Sequence, residues 1–278
     1  MIESLHSPHI ARVKALIGSR GKKERRESGH FIAEGLQFIR EAAQVGANPA
    51  IETLYLTTRG RLKIASAGIA INHLETVDIS DGVMSAMGET VTPQGILGIC
   101  HTPYRDLSDL VIEENSTFIY LHEIQDPGNA GTILRTADAT GFTGFISSPN
   151  SVDIYSPKVV RASAGSLWHL PVFERIELDE LINRWPNSNI FALTADGEKS
   201  LLEIAPEGPS LWIFGNEARG IEGSSKKKKV STVRIPMAGN AESLNLAAAA
   251  AITLFHISTG KFPPGKIPEA GLPAEMEM

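Results

Sequence analysis

Phe118-Ile-Tyr-Leu121, followed closely by Gln125-Asp-Pro-Gly-Asn-Ala-Gly-Thr-Ile-Leu-Arg135, is the stretch on which the fold turns. The first four residues form a short apolar run rich in aromatic and β-branched side chains, the pattern of a buried strand. The Pro-Gly-Asn turn leads into a helical segment from about Gly131 to Thr140. The alternation then repeats. Strand patterns fall at 144–146, 189–193, 210–214 and 233–235, with helical patterns at 158–163, 178–185 and from Ser243 to about Ser258. Strands alternating with helices predict an α/β fold, a parallel sheet with helices on both faces.

Upstream, the chain reads as a smaller α/β unit. A helix is expected from Pro8 to Ile17, then a basic loop, a strand at Phe31-Ile-Ala33 and a helix from Gly35 to Val45. Further on come a strand at 51–57, a short helix at 81–87 and a buried strand at 95–100. These readings divide the chain into a substrate-binding unit at 1–105, a polar linker at 106–116 and a larger unit at 117–260. The four prolines of 261–278 predict a disordered tail.

Composition sets the outer limits. With 278 residues, 42% hydrophobic and 21% charged, the chain lies in ordinary globular territory and can bury a large core. Cys100, the lone cysteine, has no internal partner, and a reducing cytoplasm is the expected location. The longest apolar run, 246–255, is half of what a membrane span needs, and the N-terminus lacks a signal-peptide core. The eight histidines show no zinc-like spacing, so no metal site is expected. The net charge of −6 is unevenly spread: residues 1–40 carry +4 and the remainder −10. Arg20, Lys22, Lys23, Arg25 and Arg26 crowd into seven positions, suited either to phosphates or to a solvated loop. A second run, Lys226 to Lys229, is equally open.

Three loops follow strands of the larger unit. In the first, Gly128 and Gly131 let backbone approach a ligand at a helix start, where free N–H groups favour anions. It satisfies neither the P-loop nor the dinucleotide-binding glycine spacing. The second, Ile213-Phe-Gly-Asn-Glu-Ala-Arg-Gly-Ile-Glu-Gly223, carries Gly215, Asn216 and Glu217 to the sheet rim. The third, Val233-Arg-Ile-Pro-Met-Ala-Gly-Asn-Ala-Glu-Ser-Leu-Asn245, leads into Leu246 and five alanines, with Ser243 placed as a helix cap. Taken singly, each is also an ordinary strand-to-helix turn.

Together, in this order, the loops resemble the three signature motifs of the SpoU/TrmH family of RNA ribose methyltransferases, in the SPOUT superfamily. The resemblance covers about 118–258. More weakly, Phe31-Ile-Ala-Glu-Gly35 and Thr92-Pro-Gln-Gly95 make 1–105 look like the ribosomal-protein-like RNA-binding domain many members carry. The resemblance implies a deep trefoil knot in the parallel sheet, S-adenosylmethionine as cofactor, and a homodimer with the final helix at the contact. By motif position it implies cofactor contacts at Gly215, Ile235 and Leu244, with Asn216 and Met237 beside them. Catalytic positions would be Arg135, Asn129, Glu217, Ser243 and Asn245.

The expected reaction is methyl transfer to a ribose 2′-hydroxyl, with large-subunit ribosomal RNA favoured over transfer RNA. A non-catalytic RNA-binding or ribosome-assembly protein is the reading from another class. Guanidinium normally stays charged, so a plain base role for Arg135 is awkward; holding phosphate and stabilising developing alkoxide suits it better. Arg12, Lys14 and the 20–26 cluster are expected to grip RNA phosphates.

Overall fold

The computed structural model describes residues 1–44, 46–47, 50–187, 189–215 and 230–259. The N-terminal unit comprises α1 (Pro8–Ile17), α2 (Gly21–Ser28), β1 (His30–Glu34), α3 (Leu36–Ala42), β2 (Ile51–Leu56), α4 (Thr58–Ser66), β3 (Thr76–Asp78), α5 (Asp81–Met87) and β4 (Ile96–His101). Its strands form a four-stranded sheet in the order β1-β4-β2-β3, antiparallel except for the parallel β2–β3 pair. Local chemistry sets the boundaries. Pro8 stands in the first turn of α1, where its missing N–H costs nothing, and the Ser7 side chain accepts from His9 N. Ile10, Val13 and Leu16 then share the buried face.

The C-terminal unit comprises β5 (Thr117–Leu121), α6 (Pro127–Ala139), β6 (Gly144–Ser147), α7 (Pro157–Ser163), β7 (Val172–Phe173), α8 (Leu178–Arg184), β8 (Ile190–Leu193), β9 (Lys199–Ser200), β10 (Ser210–Phe214), β11 (Val230–Arg234) and α9 (Leu246–Ser258). Its seven strands run in the order β7-β6-β5-β10-β8-β11-β9, and every neighbouring pair is parallel. Strand alternation sends side chains to two cores. Ile119, Leu121, Trp212 and Phe214 face α6 and α9, packing with Ile133, Leu134, Ala250 and Leu254. Phe118, Tyr120, Leu211 and Ile213 face the other way, against Leu178, Leu181 and Ile182 of α8. Helices therefore cover both faces, as the alternation of the sequence predicts.

Several boundaries differ from the sequence reading. The segment expected as a basic loop folds into α2, with Gly29 in the left-handed conformation (φ 70°) at its end. Helix α6 begins at Pro127 because Asp126 caps it, accepting from Asn129 N at 2.6 Å. Helix α9 is capped by Asn245, not Ser243: Asn245 Oδ1 accepts from Ala247 N and Ala248 N. The expected helix at 35–45 ends at Ala42, and Val45 lies outside the described residues. Strand β11 starts at Val230, three residues earlier than its pattern suggested. The polar 106–116 stretch is packed down rather than free, because Leu107 and Leu110 are buried in the α8-side core.

The two units share one apolar cluster. Phe31 and Phe38 meet Trp168, and Phe31 meets Tyr155 with ring centres 5.0 Å apart. Residues 216–229, which hold most of the second motif loop and the second lysine run, and the tail at 261–278 lie outside the described residues. Among the described residues, no helix is long and apolar enough to cross a membrane.

Candidate active site

The parallel register brings the carboxyl ends of four strands level: Phe214 pairs with both Leu121 and Leu193, and Val233 pairs with Leu193. Directly after Leu121, Phe214 and Leu193 come His122, Gly215 and Thr194, and Ile235 follows the end of β11, two residues beyond Val233. They form a row along the rim, the place where open α/β sheets bind ligands. Gly215 is buried and Ile235 half-buried, while Met237, Ser243 and Leu244 are exposed.

Helices α6 and α9 begin at this rim, and Asn245 joins them. Its Oδ1 caps α9 while its Nδ2 donates to Asn129 Oδ1 at 3.4 Å. Asn129 sits in the first turn of α6. Two helix N-termini thus converge, with Asp126 and Asn245 already taking the N–H groups of Asn129, Ala247 and Ala248. Arg135 is exposed on α6, about 9 Å further along and roughly 240° around the axis from Asn129. The two side chains therefore do not share a face of the helix. Asn216 and Glu217 lie outside the described residues.

Two buried polar atoms on the rim have no hydrogen-bond partner among the described residues: Thr194 Oγ1, after β8, and His122 Nδ1, after β5. Burial also lowers the His122 pKa, keeping its ring neutral. A strip with covered Gly215, an unpaired hydroxyl and an unpaired ring nitrogen fits a polar, adenosine-bearing cofactor. Sequence reasoning missed Thr194. Its only signal was position, in the turn directly after a strand. Gly131 was misread in the opposite direction: a Cβ there would meet Ala162 and, at 2.8 Å, the Val159 carbonyl. Its bareness serves close α6–α7 packing rather than a ligand.

The basic residues separate into two groups. Lys14, Arg20, Lys22, Lys23 and Arg26 are exposed. Arg12 is held by Glu52, with paired hydrogen bonds of 2.8 and 2.7 Å. Arg25 corrects its expected role. It is buried, donates to the Leu16 carbonyl and is paired with Asp153 in the other unit, so it has no free donor face for RNA. The expectation of no metal site rested on sequence spacing. Across strands, however, the fold brings ligand atoms of His30, Glu52 and His101 within 4.8 Å of one another. Arg12 covers both Glu52 oxygens there and lowers that carboxyl's pKa, so any cation would compete with a guanidinium.

Comparison with known proteins places this geometry in a class of methyl-transferring enzymes. The model of the SpoU rRNA Methylase family matches residues 116–255, and that of the MRM3-like substrate binding domain matches 10–98. The 23S rRNA (guanosine(2553)-2′-O)-methyltransferase RlmP of Bacillus subtilis is 30% identical over 239 residues, 85% of this chain and 91% of its own. The 23S rRNA (uridine(2479)-2′-O)-methyltransferase of Streptomyces viridochromogenes is 30% identical over 250 residues, covering 87% and 86%. Among solved structures, the AdoMet-bound rRNA methyltransferase from Sinorhizobium meliloti superposes with a TM-score of 0.81 at 30% identity, covering 94% of this chain and 98% of that one. The chain belongs to the SpoU rRNA Methylase family.

Proposed function

We propose that this protein transfers a methyl group from S-adenosylmethionine to a ribose 2′-hydroxyl of large-subunit ribosomal RNA. One observation carries the reading: the Asn129–Asn245 hydrogen bond joins the first and third motif loops at the rim that also presents Gly215 and Ile235. Two relatives similar along most of the chain are named as 23S rRNA 2′-O-methyltransferases, and a structural neighbour is described as AdoMet-bound.

When bound, S-adenosylmethionine supplies the electrophilic methyl group; the protein's task is to position and polarise. Gly215, Ile235 and Leu244, with Asn216 and Met237, line the cofactor strip in this reading, and Thr194 adds a hydroxyl. Asn129 and Asn245 fix the geometry where the two helices begin. Arg135 receives the RNA phosphate and stabilises negative charge developing on the ribose oxygen. Glu217 and Ser243 complete the polar shell. The trefoil knot that the family resemblance implies would hold the cofactor against main-chain atoms.

Residues 1–105 serve as the RNA-binding unit, with Lys14, Arg20, Lys22, Lys23 and Arg26 as the phosphate-facing set. Each is exposed in a part of the chain that carries net positive charge. The working form is a homodimer. Met237, Leu244, Ile252 and Phe255 are all exposed, and a second copy would bury this apolar group beside the site. The lone Cys100 suits a cytoplasmic location.

Tritiated methyl transfer to deproteinised 23S rRNA, assembled large subunits and bulk transfer RNA tests the substrate. Incorporation into 23S rRNA or the subunit is expected. Labelling of transfer RNA alone would overturn the assignment.

A further inference from the structure

A second concavity lies away from the rim residues described above. It is a cavity of about 770 Å³ between the two units, within the range of small-ligand sites. Helix α2 of the N-terminal unit contributes Arg26, and the segment after β4 contributes Tyr104 and Arg105. The loops at the carboxyl ends of β6 and β7 contribute Asp153, Glu174 and Arg175. None of Asn129, Arg135, Gly215, Ile235, Leu244 and Asn245 lines it.

Its chemistry is uneven in an informative way. Arg25, the other arginine of α2 at this cavity, is neutralised by Asp153. Arg26, Arg105 and Arg175 form no ion pair with any described residue, and Arg105 Nε is buried without a hydrogen-bond partner. Arg175 is held in the left-handed backbone region (φ 63°), uncommon for a residue with a side chain. Tyr104 is 85% exposed at the mouth, a large aromatic face with nothing stacked on it. Asp106, Glu174 and Glu180 also line the cavity, and Arg26 acts on Glu174, but Arg105 and Arg175 beside an open aromatic ring still match a phosphate joined to a base.

The cavity is also connected to the active-site rim. Gln125, in the loop that leads to α6, donates to the Asn150 carbonyl at 2.7 Å, and Val152 N donates to the Ile124 carbonyl at 2.7 Å. The β5 and β6 loops therefore form one continuous ledge, running from Asn129 to Asp153.

We propose that this inter-unit cavity binds one unpaired nucleotide of the RNA substrate, distinct from the nucleotide methylated, with its phosphate on Arg26, Arg105 and Arg175 and its base on Tyr104. The inference rests on the RNA methyltransferase reading and adds a second anchoring point to it. A bulged or looped nucleotide near the target would fill it, so the site selects RNA by shape as well as by the nucleotide modified.

Ultraviolet cross-linking with 4-thiouridine-substituted 23S rRNA, steady-state methylation and titration with the four nucleoside 5′-monophosphates test the proposal together. Expected is a cross-link from the peptide containing Tyr104 to a nucleotide other than the labelled one. The Arg105→Ala/Arg175→Asn variant, in which Asn tolerates the left-handed backbone, should raise KM for RNA about tenfold and leave kcat unchanged. Tyr104→Ala, at an exposed position, should reproduce the KM effect in a fold left intact. An unchanged KM in both variants, or a cross-link confined to the methylated nucleotide, overturns the proposal. If the wild-type protein methylates no RNA, the functional reading fails by itself and the nucleotide titration decides the cavity. Saturable binding lost in Arg105→Ala/Arg175→Asn sustains the site, and no binding removes it.

Discussion

Arg25 of α2 donates two hydrogen bonds to Asp153 Oδ2, at 2.9 and 2.7 Å, across the boundary between the two units. Both side chains are largely covered, at 7% and 11% exposure. Breaking a buried pair from one side leaves an uncompensated charge. Arg25→Ala should therefore cost about 3–5 kcal/mol of stability. The Arg25→Met/Asp153→Leu double variant should recover much of that loss. Denaturant unfolding of the three proteins checks both values, and a loss below about 1 kcal/mol in Arg25→Ala would show the pair to be incidental.

Asn245 has two tasks and Ser243 has neither of them. Asn245→Ala removes the α9 cap, costing about 1 kcal/mol, and also breaks the link to Asn129. Asn245→Asp keeps a capping oxygen but loses the donor that reaches Asn129. It should retain stability while methyl transfer falls. Ser243→Ala should leave stability unchanged. Equal activity in Asn245→Asp and the wild type would remove the Asn129 link from the catalytic account.

Arg135→Lys keeps a positive charge but loses the planar fork and its several donors. Turnover should fall about 100-fold, the scale for removing a donor aimed at developing negative charge, with S-adenosylmethionine affinity preserved. Calorimetry and single-turnover methylation separate the two quantities. Near wild-type turnover would show that no fork-shaped donor is needed.

Two groups make stability fall as pH rises. Burial opposes charge on His169, but its hydrogen bonds to Asp138 and Glu41 outweigh this and raise its pKa. That contribution is complete below the ordinary histidine value of about 6.5 and disappears as pH climbs through the folded value. Desolvation, helped by Asp153, pushes the Glu174 carboxyl up to about 7. Between its ordinary value and about 7 the folded protein holds a proton that the unfolded chain has lost, so stability declines across that window too. Their share of Tm should fall between about pH 5 and about pH 8, read as the difference from variants lacking each group, because His122, whose pKa burial lowers, acts in the opposite direction. Glu174→Gln should flatten the acid half and His169→Gln the upper half. Parallel curves for all three proteins would contradict both assignments.

Phe255 and Ile252 stand 60% and 45% exposed, three residues apart on α9. If a second copy covers them, Phe255→Glu should shift the protein from dimer to monomer in analytical ultracentrifugation and abolish methylation. A monomeric wild-type protein with full activity would remove the dimer from the account.

The alternation of strands and helices was legible because each apolar run is both short and bounded. Ser210–Phe214, Asp81–Met87 and Pro8–Ile17 fall where their patterns place them. Strands β7 and β9 are two residues each, too short to carry a periodicity, and α4 lies in a polar stretch with little apolar signal. Helix α2 was hidden because five basic residues in seven positions read as solvated chain. It is anchored by Arg25, whose partner Asp153 is 128 residues away. The motif loops could be recognised in sequence, whereas what distinguishes Asn245 from Ser243 is a contact across 116 residues. Local pattern carries secondary structure; contacts of this kind exist only once the sheet has formed.

The most direct measurement is alkaline hydrolysis of RNA labelled by this protein with tritiated S-adenosylmethionine. A methyl group on the ribose oxygen blocks the internal attack that cleaves the adjoining phosphodiester bond. Label in alkali-resistant dinucleotides is expected. Label recovered wholly in mononucleotides would place the methyl group on a base and contradict the account.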